Sequence, residues 1–247
     1  MNQQATLPMP PMIFKTLVCG PTTTDDFEAV GGWLLSVLDH QDMLKDGIDL
    51  LDVGCGCGRL ARFLLQRPIG SYTGFDRHKG MVDWCEREIT SRDPRFRFDH
   101  FELKSVYVAW DGEQGSIDVE AFTFPYPAEA FDSVVLSSVF THMPPNEVRH
   151  YLGELVRVMR PGAKALLSIF LSPGAVEVRD DGINIFHNLD QFLADAGDFS
   201  FDARLISSAT PALSFSYEHN WYVLTCGKSP SGTTLKKFPV LESLNGR

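Results

Sequence analysis

Apolar positions along the chain alternate between short strand-length runs and longer stripes with a 3.6-residue period, which predicts strands interleaved with helices. Leu50-Leu51-Asp52-Val53 is a short apolar run that ends in glycines. Ser71 to Asp76 and Phe96 to Phe101 follow as a second and a third strand. Ser133 to Leu136 is almost continuously apolar, as in a strand covered on both faces, and Ala165 to Phe170 reads as a fifth.

The helices fall between these runs. Leu60, Ala61, Phe63, Leu64 and Leu65 predict one that Pro68 ends. Met81, Trp84, Cys85 and Ile89 form the inner stripe of a second, over 78–90. Val148, Tyr151, Leu152, Leu155, Val156 and Met159 form that of a third, stopped by Pro161-Gly162. Ahead of the first strand, Thr22, Thr23, Thr24 and Asp25 offer N-caps to a helix buried through Phe27, Val30, Leu34, Leu35 and Leu38. Gly31-Gly32 weakens its middle or lets it pack closely. A helix from Asn188 to a stop at Gly197 and two closing strands, Ala203–Ser208 and Trp221–Gly227, complete the pattern. The fold class is α/β, doubly wound around a mostly parallel sheet with helices on both faces.

The decisive stretch is Asp52-Val53-Gly54-Cys55-Gly56-Cys57-Gly58-Arg59-Leu60. Apolar strand, alternating glycines and then helix formers read as a strand, a tight turn and a helix starting near Gly58. The free amides and positive end of that helix would face a ligand beyond the strand tips. Asp76 follows Gly58 at the roughly 20-residue spacing at which a carboxylate accepts from both ribose hydroxyls.

These residues resemble the first motif and the ribose-binding acid of class I S-adenosylmethionine-dependent methyltransferases. Phe131-Asp132-Ser133-Val134-Val135-Leu136-Ser137-Ser138-Val139-Phe140-Thr141-His142-Met143 resembles that family's fourth strand and following loop, and Leu155 to Ala163 its next helix end and turn. The resemblance spans roughly residues 20–175. It implies a seven-stranded sheet whose last strand is antiparallel, within a Rossmann-like domain over 21–228. It also implies S-adenosylmethionine as cofactor. Gly54, Cys55, Gly56 and Gly58 would face its amino-acid end, Asp76 its ribose and Glu102-Leu103 its adenine. Ser137, Ser138 and Val139 would border the methyl donor, and Asp52 and Arg77 complete the expected set.

Composition narrows the partners. The 247 residues carry 22 basic and 32 acidic side chains, a net charge of −10. Such a chain repels phosphate backbones, so nucleic acid is not expected as a partner. No apolar run reaches membrane-span length, and Met1–Pro11 lacks the charged and apolar regions of a signal peptide. With five dispersed cysteines, this reads as a cytoplasmic protein with reduced thiols. Cys55-x-Cys57 has no second pair at ligand spacing, so no metal is expected. Residues 1–20 read as an extended lead-in and 229–247 as a mobile tail.

His142, just past the fourth strand, is the candidate general base, and His187 stands on the opposite rim. The connector 104–127 is long enough to be functional. The Asn/Asp-Pro-Pro-aromatic pattern of amide and base N-methylation is absent after the fourth strand. By what the resemblance implies, this tilts the expectation toward methyl transfer to a hydroxyl, carboxyl or amine group of a small molecule, with oxygen in a sugar or secondary metabolite expected first. An NAD-dependent oxidoreductase is the rival enzyme, although its fingerprint is Gly-x-Gly-x-x-Gly and the spacing here is Gly-x-Gly-x-Gly. A non-catalytic S-adenosylmethionine-binding module is the rival from outside enzymology. Neither the acceptor nor the oligomeric state is legible in the sequence.

Overall fold

The structure is a computed structural model that describes residues 7–20, 23–179, 182–210 and 218–227, with the backbone alone at Ala109 and Trp110. The parallel part of the sheet is built from β1 (Asp49–Val53), β2 (Ser71–Asp76), β3 (Phe96–His100), β4 (Phe131–Leu136) and β5 (Met159–Ser172). A hairpin, β6 (Glu177–Arg179) and β7 (Asn184–Asn188), follows, and β8 (Phe201–Ser207) and β9 (His219–Cys226) close the sheet. The order β3-β2-β1-β4-β5 continues through β9, antiparallel to β5, and then β8. These are the seven expected strands with the last one reversed.

The β6–β7 hairpin is an addition. Phe170 pairs with both Phe186 of β7 and His219 of β9, so these strands flank β5 on opposite edges. β4 occupies the β7 edge as far as Leu136↔Leu167. The hairpin therefore continues that edge beyond the tip of β4, where ligands bind in such sheets.

Side chains alternate across the sheet with the two-residue period of a strand. Leu50, Val135 and Leu166 face a core with α2 (Thr24–His40), α3 (Ala61–Leu64) and α4 (Lys79–Cys85). Leu51, Val134, Leu136 and Leu167 face one with α6 (Pro145–Val158) and α7 (Leu189–Asp198). Thr23 caps α2 in a reciprocal capping box with Asp26. Gly31 lets α2 lie against α3, where a Cβ would fall 2.4 Å from Phe63.

Several boundaries differ from the sequence pattern. Met12–Cys19 form a helix, α1, where an extended lead-in was expected. Its buried inner side gives tertiary contacts that outweigh the Pro-rich approach. The helix after the glycine turn is only the single turn α3, so the ligand-facing groups are individual amides of the turn rather than a helix end. The second helix ends as α4, and Glu86–Thr90 continue it as a π-turn. Pro161-Gly162 ends α6 but lies in a bulge inside β5, between Phe131↔Met159 and Ser133↔Lys164. Gly197 lies within α7 rather than after it. The connector carries α5 (Val108–Asp111) and a 3-10 turn at Val119–Ala121. The tail expected over 229–247 lies outside the described residues. No described helix is long and apolar enough to cross a membrane.

Candidate functional site

The tips of β1, β2 and β4 open onto a cavity of about 180 Å³, room for on the order of a dozen waters. Eleven of the fourteen residues singled out from sequence line it; Gly58, Glu102 and His187 do not. The turn over 54–58 makes its floor because Gly54 and Gly56 take φ of +68° and +53°. Both residues' neighbours approach the missing Cβ atoms closely, Val139 at 2.6 Å from that of Gly54 and Val18 of α1 at 2.7 Å from that of Gly56. Gly58 serves packing instead, since a Cβ there would meet Ile89 at 2.7 Å and Cys85 at 3.1 Å on the side of α4.

Asp76 ties the turn to β2. Its Oδ2 accepts from the Gly56 amide at 2.8 Å and its Oδ1 from the His78 amide at 2.8 Å. Burial pushes its pKa up, against the two amides and the charges of His78 and Arg77. Each oxygen retains acceptor capacity for a ligand hydroxyl. Asp52 lies deeper, accepting from the Tyr72 hydroxyl at 2.6 Å. Burial raises its pKa to about 7, opposed by that bond and by Arg59.

Arg59, inside the motif but without an assigned role from sequence, also lines the cavity. Its guanidinium donates to Cys19 Sγ at 2.9 Å and to Ser137 Oγ at 2.8 Å. Among the described residues this buried cation makes no ion pair. That leaves a positive group facing the space next to the glycine turn. Ser138 takes a left-handed φ of +61° and donates its amide to Ser168 Oγ at 2.7 Å. A non-glycine residue held there stores about 1–3 kcal/mol of strain; here the Ser168 bond fixes the loop between β4 and the cavity. Cys55 and Cys57 are buried thiols, Cys57 pushed up to about 12 by desolvation. No group of three or more metal-ligating side chains occurs among the described residues.

Two expected positions bond to the connector. Glu102 is exposed and turned outward, its Oε2 accepting from Ser116 Oγ at 2.8 Å. Val119 of the connector lines the cavity, whereas Asp118 before it is exposed and pairs with Lys104 at 2.8 Å. Parallel pairing of Leu103 with Ile117 brings Val119 to the tip of β3; an insertion between the two segments hides it from a reading by spacing. Arg77 touches the cavity, but its three guanidinium nitrogens bond the connector rather than face a ligand.

His142 ends a 3-10 turn, Phe140–His142, that follows β4. Its Nδ1 lies 2.9 Å from the Ile183 carbonyl and its Nε2 2.9 Å from the Tyr107 hydroxyl. The carbonyl can only accept, so Nδ1 carries the proton and Nε2 accepts from Tyr107. Desolvation lowers the imidazole pKa to about 4. Both ring nitrogens are engaged, so the group that His142 presents to the cavity is Tyr107, a connector residue. The other connector aromatics Phe122, Phe124 and Tyr126 do pack in the core. His187 lies buried in β7 with Nε2 2.9 Å from the Phe140 carbonyl, bracing the 3-10 turn rather than lining the cavity.

With this geometry in place, likeness to known proteins is decisive. The methyltransferase domain family matches residues 51–167, from the end of β1 through β5. Residues 51–167 are a class I, Rossmann-like methyltransferase domain. Methyltransferase GfsG of Streptomyces halstedii is 23% identical over 157 residues, which are 64% of this chain and 50% of that protein. The chain thus spans about half the length of that curated relative. Among solved folds, the chain superposes on the [4+2]-cyclase SpnF with a TM-score of 0.60 at 18% identity, covering 80% of this chain and 81% of that one. A second match is Burkholderia thailandensis 1,6-didemethyltoxoflavin-N1-methyltransferase, bound to 1,6-didemethyltoxoflavin and S-adenosylhomocysteine. Its TM-score is 0.54 at 15% identity, covering 82% of this chain and 79% of that one.

Proposed function

We propose that the chain binds S-adenosylmethionine along the tips of β1, β2 and β4 and transfers its methyl group to a small molecule at oxygen. One observation carries this reading: the glycine turn and Asp76 are bonded to each other on one wall of the cavity at the strand tips. Asp76 accepts from the ribose hydroxyls, and Val119 receives the adenine ring against its apolar side chain. Arg59 meets the carboxylate of the amino-acid end and Asp52 its ammonium. Gly54, Cys55 and Gly56 supply backbone against that end, and Ser137, Ser138 and Val139 border the methyl group.

When bound, the cofactor supplies an activated methyl group. The chain's residues then position the acceptor and receive its proton. Tyr107 Oη, held by His142, accepts a bond from the acceptor hydroxyl, and its own proton moves to Nε2 as the oxygen becomes alkylated. A neutral imidazole with a pKa about 4 is a weak base, so most of the rate comes from alignment and water exclusion.

Sugars and secondary metabolites are the acceptor class, in keeping with the small-molecule substrate named for the toxoflavin enzyme. A module that binds the cofactor without transferring methyl is the second reading, favoured by the likeness to a [4+2]-cyclase of the same fold. Incubation with methyl-labelled cofactor and host extract separates the two. A labelled small molecule supports methyl transfer; tight binding of S-adenosylhomocysteine with no labelled product supports the module. Preference for NAD over S-adenosylhomocysteine in calorimetry overturns both.

A further inference from the structure

We propose that Arg77 acts on the acceptor side of the cavity, as a positioning residue that seats a strap of residues 103–115 and so holds Tyr107 against His142. The inference deepens the methyl-transfer reading and rests on it for the meaning of the cavity.

The strap leaves the sheet after β3 and returns beside its own start. Lys104 donates its amide to the Ile117 carbonyl at 2.9 Å, and the amides of Ser116 and Ile117 donate to the Glu102 carbonyl at 2.8 and 2.9 Å. Gly115 fits this neck because a Cβ would fall 2.1 Å from the Leu103 carbonyl. The segment is thus a loop with a closed base, like the compact surface loops whose orientation depends on a few anchoring contacts.

Arg77 supplies those contacts. Nε donates to the Leu103 carbonyl at 3.1 Å, Nη1 to the Asp111 carboxylate and Nη2 to the Glu113 carbonyl. The Arg77 and Asp111 side chains are only 14% and 7% exposed, which makes the pair a shielded anchor rather than a solvated surface bridge. Asp111 Oδ1 also accepts from the Glu113 amide at 2.9 Å, so the carboxylate orders the bend through Gly112 as well. A planar fork reaching one end of the strap and both sides of this bend fixes the loop in two directions, which a lysine cannot do.

The strap's inner residue is Tyr107. Its hydroxyl bonds His142 at 2.9 Å, its ring meets the imidazole edge-on at 4.6 Å between centroids, and both line the cavity. Arg77 directly follows Asp76, so one end of β2 sends its acid to the cofactor side and its base to the acceptor side.

The test uses the full chain and S-adenosylhomocysteine as the probe. Two variants, Arg77→Lys and Asp111→Asn, break the anchor from opposite partners. Amide exchange over 103–115 should quicken about tenfold or more, and the His142 imidazole ¹⁵N shifts should lose the signature of an Nε2 that accepts from Tyr107. Calorimetry with S-adenosylhomocysteine should stay within about twofold of the wild type, because the anchor touches neither Asp76 oxygen. Unchanged exchange and unchanged ¹⁵N shifts in both variants overturn the proposal. So does a loss of probe affinity with an undisturbed strap, which returns Arg77 to the cofactor side. A wild-type chain that fails to bind the probe overturns the cofactor reading instead, and the exchange and ¹⁵N results still decide the role of Arg77.

Discussion

The amide of Gly56 donates to Oδ2 of Asp76 across 2.8 Å, so the turn after β1 and the acid that closes β2 are one bonded unit. The bond sets a residue of the turn beside one twenty positions away on a single wall of the cavity. It also orients the carboxylate, since the His78 amide holds the other oxygen. Asp76→Asn loses one of these two acceptors and places an NH₂ against a backbone donor. S-adenosylhomocysteine affinity should then fall by roughly 10- to 100-fold, the range for losing charge-assisted bonds. Calorimetry measures it; an affinity within twofold of the wild type would remove Asp76 from the ribose.

Asp52 predicts a proton released on binding. Burial holds its carboxyl at about 7, so at neutral pH much of it is protonated. An ammonium group brought beside it favours the charged form and lowers that pKa. Binding measured in buffers of different ionisation enthalpy should show a fractional proton leaving near pH 7, and Asp52→Asn should abolish the release. Equal proton release in both proteins would refute this role.

The adenine assignment separates Glu102 from Val119. Glu102→Gln should leave S-adenosylhomocysteine affinity unchanged, because Glu102 bonds Ser116 outside the cavity. Val119→Ala should weaken it by about 1 kcal/mol, the worth of the apolar contact removed from the lining. The reverse ranking would restore the assignment read from sequence.

What the sequence displayed and what it hid follow from range. The strands, Gly54, Gly56 and Asp76 were legible because local pattern and spacing define them. Tyr107 was not, because its meeting with His142 joins residues far apart in the chain through an insertion of no recognisable pattern. The bonds of Arg77 were hidden for the same reason: adjacency to Asp76 pointed to the cofactor, whereas its partners Leu103, Asp111 and Glu113 lie in that insertion. Arg59 stood in plain view within the motif, and only burial beside neutral partners marks it as a cation facing the cavity.

Glycine substitutions test the floor of the cavity. Gly54 has φ +68° and would place a Cβ 2.6 Å from Val139, whereas Gly162 has φ +80° with open space around it. Gly162→Ala should cost about 1 kcal/mol, from backbone strain alone. Gly54→Ala adds overpacking to that strain and should cost roughly 2–4 kcal/mol. Denaturant midpoints at constant slope measure both; equal costs would mean that Val139 yields freely.

The buried histidines and Asp52 make opposite demands on pH. His142 and His219 are lowered from 6.5 to about 4 and about 3, chiefly by desolvation. Their folded pKa values lie below the unfolded one, so their contribution is complete above 6.5 and is lost as pH falls toward the folded values. Asp52 is raised from 3.8 to about 7. Its contribution is complete below 3.8 and is lost as pH rises toward 7. His142→Asn should therefore flatten the loss of stability between pH 6.5 and 4, by about 2 kcal/mol at pH 5. Asp52→Asn should leave that acid limb in place and reduce the loss between pH 4 and 7. The slopes of unfolding free energy against pH carry the test, since each variant's uniform destabilisation shifts its whole curve without tilting it. An acid limb equally steep in His142→Asn and wild type would show that the imidazole titrates at an ordinary pKa, and would break the Tyr107–His142 bond on which the proton path depends.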